Sequence, residues 1–241
     1  MINCDPDTGA CQLPEQAITS NVATPIARPG WAVHYISDPM CSWCWGISPI
    51  IRKVADYCQA QGIEFTLTMG GLRPGGGELW NDALKNFLRQ EWQQINQTTG
   101  QPFGYALLEQ VAFNYDTEPA CRAIAVVKLL QAKLGFPIVT LLNFLAAMQH
   151  KFYVESQDPK EVGFYASICN ELELSFDEFS ALFHSTEGQQ AVQQDFMQSR
   201  QWGVRAFPTL LLEHNGKIKP LSVGYSSAEQ ILATLQHELA L

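Results

Sequence analysis

Positive charge is scarce in this chain: 15 Lys and Arg stand against 24 Asp and Glu over 241 residues, a formal net charge of −9 at pH 7. That balance argues against nucleic acid or an anionic membrane as the partner, because both need a clustered basic footprint. No apolar run approaches the length of a membrane span. The opening Met1-Ile2-Asn3-Cys4-Asp5-Pro6-Asp7 has neither the basic nor the apolar segment of a secretory signal. With Met1 as the natural start, a cytoplasmic protein is expected. The cysteines number seven, and an odd count fits a reducing compartment better than a disulfide-stapled secreted domain. A second C-x-x-C, or a Cys/His pair at ligand spacing, is missing, which favours a redox pair over half of a zinc site for the one C-x-x-C. The Gly-rich stretch Gly70 to Gly77 lacks both the Lys-Ser/Thr of a P-loop and the dinucleotide fingerprint, and it is read as a mobile connector leading away from a sheet.

Against these absences stands Asp38-Pro39-Met40-Cys41-Ser42-Trp43-Cys44-Trp45-Gly46. Trp31 to Ile36 reads as a short strand, and Ser37-Asp38-Pro39 supplies turn chemistry. Ile47, Ile50, Ile51, Val54 and Cys58 then recur at helical spacing, which predicts a helix from about Cys41 to a stop at Gly62. Two thiols at i and i+3 share one helix face, within reach of a disulfide. Cys41, at the positive end of the helix dipole, is expected to be the exposed attacking thiol, with a pKa below that of a free thiol. Cys44, one turn in and flanked by Trp43 and Trp45, is expected to be shielded and to resolve the mixed disulfide.

The remaining segments organise around this motif. Residues 1–29 form a polar lead-in whose Cys4 and Cys11 flank a strong turn at Asp5-Pro6-Asp7-Thr8-Gly9; pairing of the two thiols and a loose tail are both open. Ile63 to Met69 alternates as a strand and completes a β-α-β unit, so residues 30–77 make the first half of an α/β domain. Residues 78–183 read as an all-helical insertion of four to six helices, with segments at 81–97, 118–134, 138–152, 160–172 and 177–183. Phe87, Trp92, Phe144, Phe152 and Phe179 are read as its core, Cys58, Cys121 and Cys169 as buried small hydrophobes, and His150 and His184 as surface residues. Residues 184–241 return to the α/β domain: a strand over 207–213, an Asn215-Gly216 hairpin, a return strand over 218–223, and a last helix capped by Ser226 with Glu229. Phe207-Pro208 is a candidate cis bond.

Cys41-Ser42-Trp43-Cys44 with Pro49 resembles the active-site helix of thioredoxin-like proteins, and Gly203 to Leu212, with Asn215-Gly216-Lys217 and Gly224, resembles their C-terminal half. The helical block between the halves is similar to that of the DsbA family, and residues 38–46 resemble its FrnE-like, cytoplasmic branch. The resemblance implies a thioredoxin-like fold with a large all-α insertion and a protein disulfide oxidoreductase or isomerase. Cys41 is its nucleophile, Cys44 the resolving thiol and Pro208 the cis-proline of the substrate groove, with Ser42, Trp43, Asp38 and Phe207 as active-site neighbours. Six residues before Cys41, where the superfamily often has a buried carboxylate, stands Tyr35, which leaves Asp38 or water as the proton relay. No metal and no cofactor beyond the dithiol is expected, with glutathione admissible as co-substrate. The partners are protein thiols or disulfides and a redox protein that recycles the pair. Neither Ser42 nor Trp43 carries charge, so the poise expected is that of a reductase or isomerase rather than a strong oxidase. The alternative is a glutathione-dependent isomerase or transferase of the kappa type, against which the presence of Cys44 counts. A non-catalytic adaptor whose helical domain binds a partner is a third class compatible with the pattern.

Overall fold

Alternation of Val33 and Tyr35 with His34 and Ile36 makes a strand whose two faces are both covered, and in the computed structural model β1 (Trp31–Ser37) is central and almost wholly buried. The structure describes residues 28–240, together with the backbone of a two-residue antiparallel ladder, Asn3–Cys4 with Cys11–Gln12. The thiols of Cys4 and Cys11 lie outside the described residues. β2 (Glu64–Met69) runs parallel to β1, β3 (Thr209–His214) antiparallel to it on the other side, and β4 (Lys217–Val223) closes the order β2-β1-β3-β4. Pro220, which donates nothing to a ladder, sits on the edge strand β4. Asn215 and Gly216 both take positive φ, 51° and 77°, as the tight β3–β4 turn demands.

The two faces are covered by different helices. α1 (Ser42–Ala60) buries Ile47, Ile51, Val54 and Cys58 against the sheet and packs beside α8 (Ala228–Leu239). Against the other face lie α3 (Glu118–Leu134) and α7 (Thr186–Gln201). The expected helical block contains α2 (Asp82–Thr99), α3, α4 (Ile138–Tyr153), α5 (Ala166–Glu171) and α6 (Phe176–His184). Its core is aromatic: Trp92, fully buried, meets Phe103, Tyr105 and Tyr153, while Phe144, Tyr165, Phe179 and Phe183 form a second cluster.

Several expectations need correction. Phe87 is 52% exposed, because it projects from the outer face of α2 and not from the stripe of Leu88, Trp92 and Ile95. The 160–172 segment is a 3-10 turn, Val162–Tyr165, followed by the short α5. The cap of α8 is one residue later than expected, with Ser227 and Gln230 forming the reciprocal box, while the Ser226 hydroxyl bonds Ser222. Finally, the Gly-rich stretch does not lead freely away. Arg73 N–H donates to Thr117 Oγ1, Gly75 N–H to Asp116 and Gly77 N–H to Asn114, so its backbone is tied to the segment entering α3.

Candidate active site

The β1–α1 junction fixes the thiols. Cys41 is the N-cap of α1, with extended backbone (φ −89°, ψ 116°), and its carbonyl accepts from Cys44 N–H at 2.9 Å and Trp45 N–H at 3.2 Å. Cys41 and Cys44 are free thiols one turn apart. Phe207-Pro208 is cis, and the Phe207 carbonyl lies 3.7 Å from Cys41 Sγ. Pro208 is buried and Phe207 half-buried. Ser42 and Trp43 are partly exposed at the helix tip, and the Trp43 ring packs against Tyr225 at 5.6 Å between centroids. Cys41, Cys44, Ser42, Trp43, Asp38, Phe207 and Pro208 thus lie around the tip of α1. Among the described residues no three His, Cys, Asp or Glu side chains converge in metal-binding geometry.

Cys41 is not the exposed thiol expected: it is only 7% exposed, and Cys44 is fully buried. The reason is tertiary. Tyr115 donates to the Met40 carbonyl at 2.9 Å and the cis-proline loop covers the opposite side, so the tip of α1 sits under two loops that its own sequence does not encode. The expected acidity of Cys41 is opposed by this setting. The Cys44 side chain first, then burial and the charge Cys44 can carry, push the Cys41 thiol well up, with the Asp38 charge adding in the same direction; the Cys44 backbone N–H pulls the other way.

Asp38 is fully buried and acts as a clamp. One oxygen accepts Met40 N–H at 2.8 Å; the other accepts Leu72 N–H at 2.6 Å and lies 3.4 Å from Cys121 Sγ. Burial raises its carboxyl, against the hydrogen bonds from Leu72, Thr117, Met40 and Cys121. The carboxylate therefore ties the turn before Cys41 to the loop after β2.

Tyr35 occupies the place where a carboxylate was missing. It is buried, and the Ser37 hydroxyl donates to its oxygen at 3.1 Å. Burial and the Cys44 charge raise the phenol well above its ordinary value, and the Ser37 hydroxyl lowers it.

Two contacts were not visible in the motif. Cys121, read as an incidental buried hydrophobe, is indeed buried but lies against Asp38. Gly70 packs beneath Phe207: a Cβ there would come within 1.9 Å of the ring. Only a residue without a side chain admits the ring that precedes the cis-proline. A glycine directly after a strand was the available signal.

A dithiol at the N-terminus of a helix, faced by a cis-proline and set in a four-stranded sheet interrupted by a helical block, defines a thioredoxin-like thiol-disulfide oxidoreductase. No family model matches the chain. A crystal structure of a "putative protein disulfide isomerase" from Nitrosomonas europaea is 30% identical, covers 87% of this chain and 98% of its own, and superposes with a TM-score of 0.75. The cytosolic disulfide reductase DsbM from Pseudomonas aeruginosa is 25% identical over 87% of this chain and 98% of its own, with a TM-score of 0.67, and has also been solved with GSH. Among curated sequences, the ClpXP adapter protein SpxH of Bacillus subtilis is 25% identical over 206 residues, 83% of this chain; the chain spans 66% of that relative's length. The chain belongs to the DsbA family of thioredoxin-fold oxidoreductases.

Proposed function

We propose that the protein is a dithiol reductase or isomerase that exchanges disulfides with protein or small-thiol substrates through Cys41 and Cys44. The observation that carries this reading is the setting of Cys41: buried and close to the Asp38 charge, its thiolate is not strongly stabilised. A strong oxidant needs a stabilised reduced form. In the forward half-reaction the Cys41 thiolate attacks one sulfur of the substrate disulfide, giving a mixed disulfide and one substrate thiolate. The Cys44 thiolate then attacks the Cys41 sulfur, forming the Cys41–Cys44 disulfide and releasing the second substrate thiolate. Tyr35 donates to Cys44 during that second step, and Pro208 with the Phe207 carbonyl shapes the groove in which the substrate lies. Two electrons from glutathione, or from a dithiol partner protein, restore the pair. DsbM being a cytosolic reductase and having been solved with GSH supports both a cytoplasmic setting and glutathione as co-substrate. No described helix is long and apolar enough to cross a membrane.

The test is turnover of a model protein disulfide with glutathione as reductant. The parent should cycle, and Cys44→Ser should stop cycling and accumulate a Cys41 mixed disulfide. Glutathione conjugation or isomerisation surviving in Cys44→Ser would instead favour the kappa-type chemistry. A second reading, an adapter, draws on the curated relatives. It predicts that purified ClpXP binds the protein and still binds the Cys41→Ser, Cys44→Ser double variant.

A further inference from the structure

Two aromatic rings stand together at the tip of α1. Trp43, between the two cysteines, packs against Tyr225 of the β4–α8 loop, with ring centroids 5.6 Å apart and planes inclined at 45°, and both residues are half-buried. Tyr225 is held from its own loop. The N–H of Gly224 donates to the Pro208 carbonyl at 2.8 Å, and the Ser222 hydroxyl bonds that of Ser226 at 2.9 Å. Gly224 takes a positive φ of 75°, which lets the loop leave the cis-proline and carry Tyr225 across to the helix tip. On the same cis-proline loop the Phe207 carbonyl lies 3.7 Å from Cys41 Sγ. A substrate sulfur poised for attack by Cys41 therefore brings its flanking side chains beside a preformed aromatic platform.

The chain leaves this platform without a cation of its own. Among the described residues six cations lie over aromatic rings, including Arg73 over Tyr115 at 5.0 Å and Lys85 over Trp80 at 5.7 Å, and none lies over Trp43 or Tyr225. Trp is the best ring for a cation placed over its face, and Tyr also serves. The formal net charge of −9 adds a long-range term: a basic segment is attracted to the molecule and an acidic one repelled. We propose that Trp43 and Tyr225 are a recognition platform for a Lys or Arg side chain flanking the substrate cysteine, so that the dithiol is directed to basic stretches of polypeptide. This selectivity rests on disulfide exchange at Cys41. An apolar neighbour gains contact with the rings but nothing from the charge, whereas arginine gains both and stacks its planar guanidinium on a ring.

The probes are end-blocked peptides Gly-X-Cys-X-Gly, with X arginine, citrulline or leucine, each joined through its cysteine to nitrothiobenzoate and mixed with the reduced protein by stopped flow. The Cys41 thiolate attacks the peptide sulfur, the old S–S bond breaks, and nitrothiobenzoate leaves as the coloured thiolate. Citrulline matches arginine in shape and carries no charge. In about 1 M salt, where screening confines charge effects to about 3 Å, the arginine peptide reacts about two- to fivefold faster than the citrulline peptide, the range of an exposed cation–π contact. Tyr225→Phe keeps that ratio. Replacing both rings, Trp43→Leu with Tyr225→Leu, keeps the net charge and brings the ratio to about one, with the fold checked by circular dichroism. A ratio of one in the parent, a leucine peptide faster than the arginine peptide, or a ratio retained in the double variant would each overturn the platform alone. Release from none of the peptides would overturn the exchange reading and the platform with it.

Discussion

Replacing Tyr35 by Phe removes one oxygen and keeps the ring, and so tests the donor role proposed for that oxygen. It accepts from Ser37 at 3.1 Å, and the charge Cys44 can carry raises its phenol, which puts the hydroxyl within reach of a donor role toward that sulfur. A hydrogen bond to a charged group contributes about 1.5–3 kcal/mol. In the resolving step the Cys44 sulfur is giving up its charge to the new S–S bond. If the hydroxyl bonds the partly anionic resolving transition state with about half that strength and does not bond the resting sulfur, it contributes about 0.7–1.5 kcal/mol, or about three- to twelvefold in rate. The variant is therefore expected to resolve mixed disulfides about three- to twelvefold more slowly near neutral pH. Ser37, fully buried, also loses its acceptor, which costs stability of about 1–3 kcal/mol. The assay is stopped-flow reaction with dithionitrobenzoate: the first release of nitrothiobenzoate reports attack by Cys41, and the second reports attack by Cys44 on the mixed disulfide. Cys44→Ser should abolish the second release. A Tyr35→Phe protein that melts earlier yet keeps the parent's second rate within twofold would refute the donor role and leave Tyr35 a packing residue.

Asp38→Asn removes a charge that pushes the Cys41 thiol up, so the pH profile of Cys41 alkylation by iodoacetamide should move to lower pH and alkylation at neutral pH should become several-fold faster; an unmoved profile would count against the clamp's electrostatic part. In the parent, peptide mapping after brief alkylation should find Cys41 labelled ahead of the fully buried Cys44. Gly70→Ala drives a Cβ into the Phe207 ring, so it should raise KM for protein disulfides and lower the melting temperature, by about 1–3 kcal/mol of overpacking. Burial raises the Cys58 thiol to about 12 and the Cys169 thiol to about 11. The native state then holds protons that the unfolded chain has lost, so this contribution is full below an unfolded thiol pKa of about 8.5 and declines as pH rises towards 11–12; urea unfolding under reducing conditions checks it.

What could be read from the residues was local. The C-x-x-C after a β-rich stretch, the Asn215-Gly216 turn and the helix over 118–134, with Glu118 at its start and Gly135 in the left-handed conformation beyond its end, each rest on short-range rules that the structure obeys. α7 escaped the pattern because its buried face includes Asp195 and Ser199 beside Val192 and Phe196, and so lacks a continuous apolar stripe. Asp195 is tolerated there because Lys128 and the Met69 N–H satisfy it. The parts of the site that stayed hidden are tertiary. Cys121 reaches Asp38 from α3, Gly70 receives Phe207 from the loop before β3, and Tyr115 closes over Met40 from the loop before α3. Those loops also explain why a thiol at a helix tip, exposed by the logic of its own segment, is covered in the folded chain. Tyr35 was conspicuous in sequence as a missing carboxylate, but the donor role proposed for it draws on its tertiary setting, with Ser37 behind it and the Cys44 charge beside it.

The reductase or isomerase reading depends on a Cys41 thiolate without strong stabilisation, and the reduction potential of the Cys41/Cys44 pair measures that directly. In a glutathione redox titration monitored by trapping free thiols, the pair should titrate between about −180 and −270 mV, the span from protein disulfide isomerase to thioredoxin. A potential near −120 mV, that of the strong oxidant DsbA, would mean that the reduced form is stabilised after all and would contradict the account.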